Sequence, residues 1–341
     1  MGSDAMLFTT LAGSSFSFWG LMAAFAKLAV YLVSFLAGGL ALVLIALPPL
    51  DNRIKRSLFG VICVAAVLSV AASVWRVMVQ AGQLMNDTAF MTDPEIIAIS
   101  LQGPLGTSTV TRMIGLAILL LAAFAPTVRT AAAILGAALV ALSFGLTGHA
   151  TRDPQWALLA LITVHLMAVS FWFGALLLLY QLSKPGLELS EAARLSHRFG
   201  QQASIVVPIL IAVGGGFAYL LLGSLEAVFT SAYGQMLLVK QAIVALVLGI
   251  AALNKLRLVP AMEAQVAGAA KRFRTSLRWE ALVFLMIFGA TALLTTSFTV
   301  PTSEEATPAN ETAAFFIGRL YALAFNELTE TLICDHRHWC C

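Results

Sequence analysis

The stretch ALLALITVHLMAVSFWFGALLLLYQL, residues 157–182, decides the fold. It runs for 26 residues without an Asp, Glu, Lys or Arg. As a helix it would measure about 39 Å, and a bilayer core is about 30 Å thick. Similar apolar runs lie near 25–47, 57–80, 109–126, 129–148, 203–223, 235–254 and 278–299. Only helices or closed barrels satisfy their backbone groups in lipid. Long continuous runs, in place of alternating strands of about ten residues, exclude the barrel. The expected fold is therefore all-α: a polytopic membrane protein, a bundle of about eight transmembrane helices within residues 1–300.

Composition agrees. Of 341 residues, 60% are hydrophobic and 11% charged, against about 25% charged in a soluble domain. That argues against a soluble enzyme, a nucleic-acid binder and a disordered chain. The expected surroundings are the lipid bilayer, with no nucleic acid. Residues 1–15 lack a basic start, and the first long run is followed by Arg53, Lys55 and Arg56. The N-terminal segment thus reads as a retained span, not a cleaved signal peptide. Four cysteines, three of them in the last eight residues, make no disulfide framework.

Basic residues set an expected orientation, because cytoplasmic loops are enriched in Lys and Arg. One set of alternate loops carries Arg53, Lys55, Arg56, Arg129, Lys184, Arg194, Arg198, Lys255, Arg257, Lys271, Arg272, Arg274 and Arg278. The opposite loops carry Asp87, Asp93, Glu95, Asp153 and Glu226. The first set is expected inside, with both termini outside. Residues 81–108 read as the longest outer loop. Residues 301–312 read as a polar linker, and 313–341 as an outer-side tail with an apolar segment at 313–326 too short to span.

Ionisable groups within spans are costly and default to functional hypotheses. Those noted are Arg76, Arg112, His149, His165 and Lys240. His149 lies at the outer end of the fourth span. His165, counted back from the inner end of the fifth, lies about one turn below the outer surface; counted from the outer start it lies much deeper. Two histidines at similar depth on consecutive helices are candidate metal ligands, since imidazole suits copper, zinc, iron and nickel. Packing is the competing role for both. Met78, Met85, Met91 and Met113 fall near the outer face and could add thioethers, which favour Cu(I), although filling an apolar core or loop is the stronger reading for each. Met167 is turned away from His165 by about 200° on a helix. Lys240 is expected to pair with an acid or a helix C-terminus, and Arg76 and Arg112 to snorkel at the outer interface. No chain of carboxylates runs through the spans, which leaves proton coupling without an evident path. Cys334, His336, His338, Cys340 and Cys341 give the tail a density of soft and borderline ligands, with no defined zinc spacing.

Several segments together resemble the copper resistance protein D family of bacterial inner-membrane proteins. They are FGLTGHA (144–150), VHLMAVSFWFGALLLL (164–179), SHRFGQQASIVVPILIAVGGGFAYLLLGS (196–224) and YGQMLLVKQAIVALVLGIAALNKLRLVPA (233–261), followed by Arg278, Trp279 and Glu280 before the last span. The resemblance implies an eight-span bundle that moves copper across the inner membrane with a separate periplasmic copper-binding partner. It implies His149 and His165 as candidate copper ligands, Trp172 and Gly174 as packing residues, and a shared pattern at Tyr233, Gly234 and Lys240. The expected function is a copper transport or resistance permease, not an enzyme, that receives copper ion at the periplasmic face and imports it. The alternative is a b-type cytochrome with His149 and His165 as axial haem ligands.

Overall fold

A computed structural model describes residues 17–47, 50–124, 126–147, 155–184, 189–222 and 225–297. His149, the linker at 301–312 and the tail with Cys334, His336, His338, Cys340 and Cys341 lie outside the described residues.

Every extended element among the described residues is helical. The helices are α1 (Phe18–Ala46), α2 (Asn52–Met85), α3 (Pro94–Gln102), α4 (Pro104–Phe124), α5 (Arg129–Gly145), α6 (Gln155–Leu182), α7 (Leu189–Leu222), α8 (Leu225–Thr230), α9 (Ala232–Leu253), α10 (Val259–Glu263) and α11 (Ala269–Ser297). Seven are long and apolar enough to cross a membrane: α1, α2, α4, α6, α7, α9 and α11; α5, with 17 residues, is shorter. The chain is an all-α polytopic membrane protein.

Local sequence explains where helices begin. Ser17 accepts a hydrogen bond from the Gly20 N–H at 3.0 Å and Asp51 from the Arg53 N–H at 2.9 Å. These side chains satisfy N–H groups that a helix leaves unpaired in its first turn. The same chemistry orders residues 86–103, which hydropathy alone reads as loop. Asn86 ends α2 in the left-handed conformation at φ 53°. Asp87 caps a short 3-10 turn over Thr88–Thr92. Asp93 accepts from the Glu95 and Ile96 N–H groups, and Pro94 opens α3.

The helix α1 is central and packs on α2, α4, α5, α6 and α11. Its crossing with α6 is a backbone contact. A Cβ on Gly174 would lie 2.6 Å from the Leu40 nitrogen and 2.8 Å from the Gly39 oxygen. A Cβ on Gly39 would collide with the Ser170 carbonyl. Gly115 and Gly136 bring α4 and α5 together in the same way: a Cβ on either would lie 2.9 Å from the other's carbonyl oxygen. Small residues dominate such contacts because lipid leaves van der Waals packing, not water exclusion, to hold helices together. Around the first crossing, Phe35 stacks among Tyr31, Phe144 and Phe288 with ring centroids 5.0–5.5 Å apart.

Replacing Gly174 by Leu should cost at least about 1–3 kcal/mol through overpacking. Gly60→Leu on α2, where an added Cβ meets nothing within 4 Å, should be near neutral. Thermal unfolding of the detergent-solubilised chain compares the two.

Candidate functional site

Three polar assemblies are built into the bundle. The first surrounds His165. The helix α6 begins at Gln155, so His165 lies ten residues, or about 15 Å, from that end. Its ring packs on Gly214 of α7: a Cβ there would lie 3.2 Å from Cε1 and 3.3 Å from Nδ1. The glycine triplet at 214–216 thus has a specific use, as Gly214 leaves room for the imidazole. The Nδ1 atom is buried and makes no hydrogen bond of good geometry among the described residues, although the Leu210 backbone of α7 also acts on the ring. A neutral imidazole nitrogen can accept a hydrogen bond or ligate a metal. Lys240 on α9 is near enough to act electrostatically on the ring. Among the described residues Lys240 has no acidic partner within salt-bridge distance.

The second assembly encloses Arg112 on α4, which is 1% exposed. Its Nε donates to Ser143 Oγ at 3.2 Å, one terminal nitrogen to Ser73 Oγ at 3.1 Å, and the other to Ser108 Oγ at 3.0 Å. The guanidinium carbon lies 4.4 Å from the centre of the Phe144 ring. The expectation that Arg112 snorkels is corrected. It is held inside by hydroxyls from three helices and by an aromatic face, because serines at matching depth replace the water it would otherwise seek. Arg76 on α2 is half-buried nearby. Lys27 on α1 is buried too and donates to the Thr295 carbonyl at 3.1 Å. Hydropathy conceals Lys27, because the apolar run around it dominates the average.

The third assembly centres on Glu280 of α11, 2% exposed. Oε1 accepts from Trp172 Nε1 at 2.7 Å and Oε2 from Asn254 Nδ2 at 2.7 Å. The packing role expected of Trp172 is present, with 5.5 Å between its ring centroid and that of Phe284. Its indole N–H adds a second role. Asn254 opens a π-helical turn over Asn254–Leu258; such turns often mark functional positions. Sequence reasoning misses Glu280 as an intramembrane acid because it follows Arg274 and Arg278 so closely. The signal that could find it is helical spacing, which turns Phe273, Leu277 and Glu280 to one buried face.

The methionines stand elsewhere. Met91 packs in a small cluster with Trp19 and Val79, and Met113 against the main core. Met85 is exposed at the end of α2, and Met78 is half-buried on the same helix. Among the described residues no three His, Cys, Asp or Glu side chains gather as a metal centre.

Comparison with known proteins places these helices. Residues 17–157 match the copper resistance protein D-like N-terminal domain, and residues 193–294 match copper resistance protein D. The chain belongs to the copper resistance protein D family. The family's two segments correspond to α1 through the start of α6 and to α7 through most of α11, so His165 and Trp172 fall between them. Copper resistance protein D of Pseudomonas syringae pv. tomato is 31% identical over 176 residues, which are 47% of this chain and 56% of that protein. The match therefore spans just over half of that relative's length. No solved structure matches the chain. Family and helices together make this a copper-resistance-related membrane protein of the multi-pass class.

Trp172→Phe removes one of the two donors that hold the buried Glu280 carboxyl. An unsatisfied buried acceptor costs about 1–3 kcal/mol. The variant should unfold at lower temperature than Trp279→Phe, whose indole is exposed, in the same detergent.

Proposed function

We propose that this chain is a copper permease of the bacterial inner membrane that receives copper at the periplasmic face and passes it inward. The observation that carries this reading is the His165 Nδ1: a buried nitrogen without a partner among the described residues, seated between α6 and α7 in a family linked to copper resistance. Copper is the cargo. Imidazole is a good ligand for either of its common oxidation states. His149 follows α5 by only four residues and is proposed as the outer ligand that hands copper to His165. Met85 and Met91 at the same end could assist capture, as could the Cys334, His336, His338, Cys340 and Cys341 tail. A separate periplasmic copper-binding protein is the proposed donor.

The orientation rests on charge. The ends of α2, α5, α7 and α11 that carry Arg53, Arg129, Arg194 and Lys271 all lie at one side of the bundle, by helix order. The positive-inside rule makes that side cytoplasmic. The haem-binding alternative gains no support from the geometry or the relatives.

His165→Ala and His149→Ala should each abolish copper-dependent accumulation in cells that express the protein at wild-type level, measured by elemental analysis of washed cells. Undiminished uptake by both variants would overturn the reading. Alkaline phosphatase fused after Glu263, between α10 and α11, should be inactive, and fused after Thr92 should be active. The reverse pattern would invert the assigned orientation.

A further inference from the structure

The helices α6 and α11 pack against each other, with Phe173 against Phe284 and Phe288 at ring-centroid distances of 5.9 and 5.2 Å. Where this seam reaches the basic end of the bundle, three cations gather. Arg278 Nη2 donates to the Tyr180 hydroxyl at 2.7 Å, and its guanidinium carbon lies 5.4 Å from the centre of the Tyr180 ring. Arg274 Nη1 donates to the Ser183 carbonyl at 3.2 Å. Lys184 comes next in the chain and is exposed. All three cations stand near enough to act electrostatically on the Tyr180 hydroxyl. Among the described residues no carboxylate forms an ion pair with any of them. Glu280, only two positions from Arg278, is buried and held by Trp172 and Asn254.

Two features set this group apart from the loose basic residues common at such an end of a membrane protein. First, the arginines are pre-organised. Each is anchored across the seam to a neutral oxygen of the α6 side. One such bond apiece leaves most of the five N–H donors of each guanidinium for a ligand. A fixed fork of donors suits phosphate oxygens. Second, the same face of α11 turns apolar within one helical turn. Arg274, Arg278, Leu282 and Leu285 recur at helical spacing over about 16 Å. Leu282, Leu285 and Met286 are exposed on a helix long enough to cross a membrane, so their neighbours there are lipid tails. Trp279 is exposed beside Arg278, and indoles favour the headgroup level. The stripe runs from a phosphate-binding fork to an acyl-chain surface. A free anion would leave the apolar part unused. A zwitterionic lipid would bring a further cation toward the three already present.

We propose that the seam of α6 and α11 binds an anionic phospholipid, its phosphate held by Arg274, Arg278 and Lys184 and its acyl chains laid along Leu282, Leu285 and Met286. Tyr180 acts as a positioning residue that orients the Arg278 fork. The site goes beyond the copper reading: it uses neither histidine, and it is the same whichever way the bundle faces.

The test uses the full chain in a neutral detergent, with thermal unfolding followed as each probe is added. A ligand that binds only the folded state raises the unfolding temperature by mass action. The probes are dioleoylphosphatidylglycerol, dioleoylphosphatidylethanolamine and inorganic phosphate. The expected result is saturable stabilisation by phosphatidylglycerol, at least about fivefold weaker binding of phosphatidylethanolamine, and no effect of inorganic phosphate at the same concentration. Arg274→Gln and Arg278→Gln should each weaken phosphatidylglycerol binding about fivefold. Lys184→Gln, at an exposed position outside the helices, supplies a further variant with the same expected loss. Arg272→Gln makes the same charge change at an exposed position on the opposite side of α11 and should leave binding unaltered. Equal stabilisation by the two phospholipids, or stabilisation by inorganic phosphate alone, would overturn the proposal. So would phosphatidylglycerol binding that the three site variants leave unchanged, or that Arg272→Gln weakens as much as they do.

Discussion

The backbone crossing of α1 and α6 at Gly39 and Gly174 is the contact on which the rest of the bundle depends. In lipid no hydrophobic effect drives helices together, so proximity must come from shape. Two glycines facing each other let two main chains touch. That brings α1 into the centre, where it can also meet α2, α4, α5 and α11. It also sets the height at which α6 presents its other faces. Trp172 lies two residues before Gly174 and His165 nine residues before it, so both assemblies on α6 are positioned by that crossing.

The polar interior follows one rule: a buried charge or dipole must find protein partners once water is gone. Arg112 is satisfied by three serines and an aromatic face, without a carboxylate among the contacts described. Glu280 is satisfied by two neutral N–H donors, without a cation among the contacts described. Ser34 and Ser69 pair with each other at 2.6 Å between α1 and α2. Against this background the exceptions stand out. His165 Nδ1, Gln202 Oε1 and Asn254 Oδ1 are buried and unpaired among the described residues. His165 and Trp172 lie two helical turns apart on one face of α6.

Much of the architecture is legible in the order of residues alone. The long apolar runs coincide in place with the helices, because a membrane span is a local property of about twenty residues. Helix starts are partly hidden: Asp87, Asp93 and Pro94 turn an apparent loop into capped helical pieces, a signal of single side chains that hydropathy averages away. His165 stands out as an isolated imidazole in a long apolar run. Glu280 does not, because its neighbours Arg274 and Arg278 make it look like part of a basic, solvated end. Lys27 is lost in the opposite way, within an apolar run whose average conceals it.

By itself, the sequence determined that this chain lives in a membrane, that it is helical, and that Arg112, His165 and Lys240 had to be explained as polar groups in an apolar setting. Hydropathy and composition suffice for that, since each depends only on near neighbours along the chain. The tertiary structure alone decided who answers each polar group. Trp172 and Glu280 are 108 positions apart, Arg112 and Ser73 are 39 apart, and Lys27 and Thr295 are 268 apart. Pairings at such separations follow from how helices cross, and the crossings follow from glycines whose role is visible only when two backbones meet.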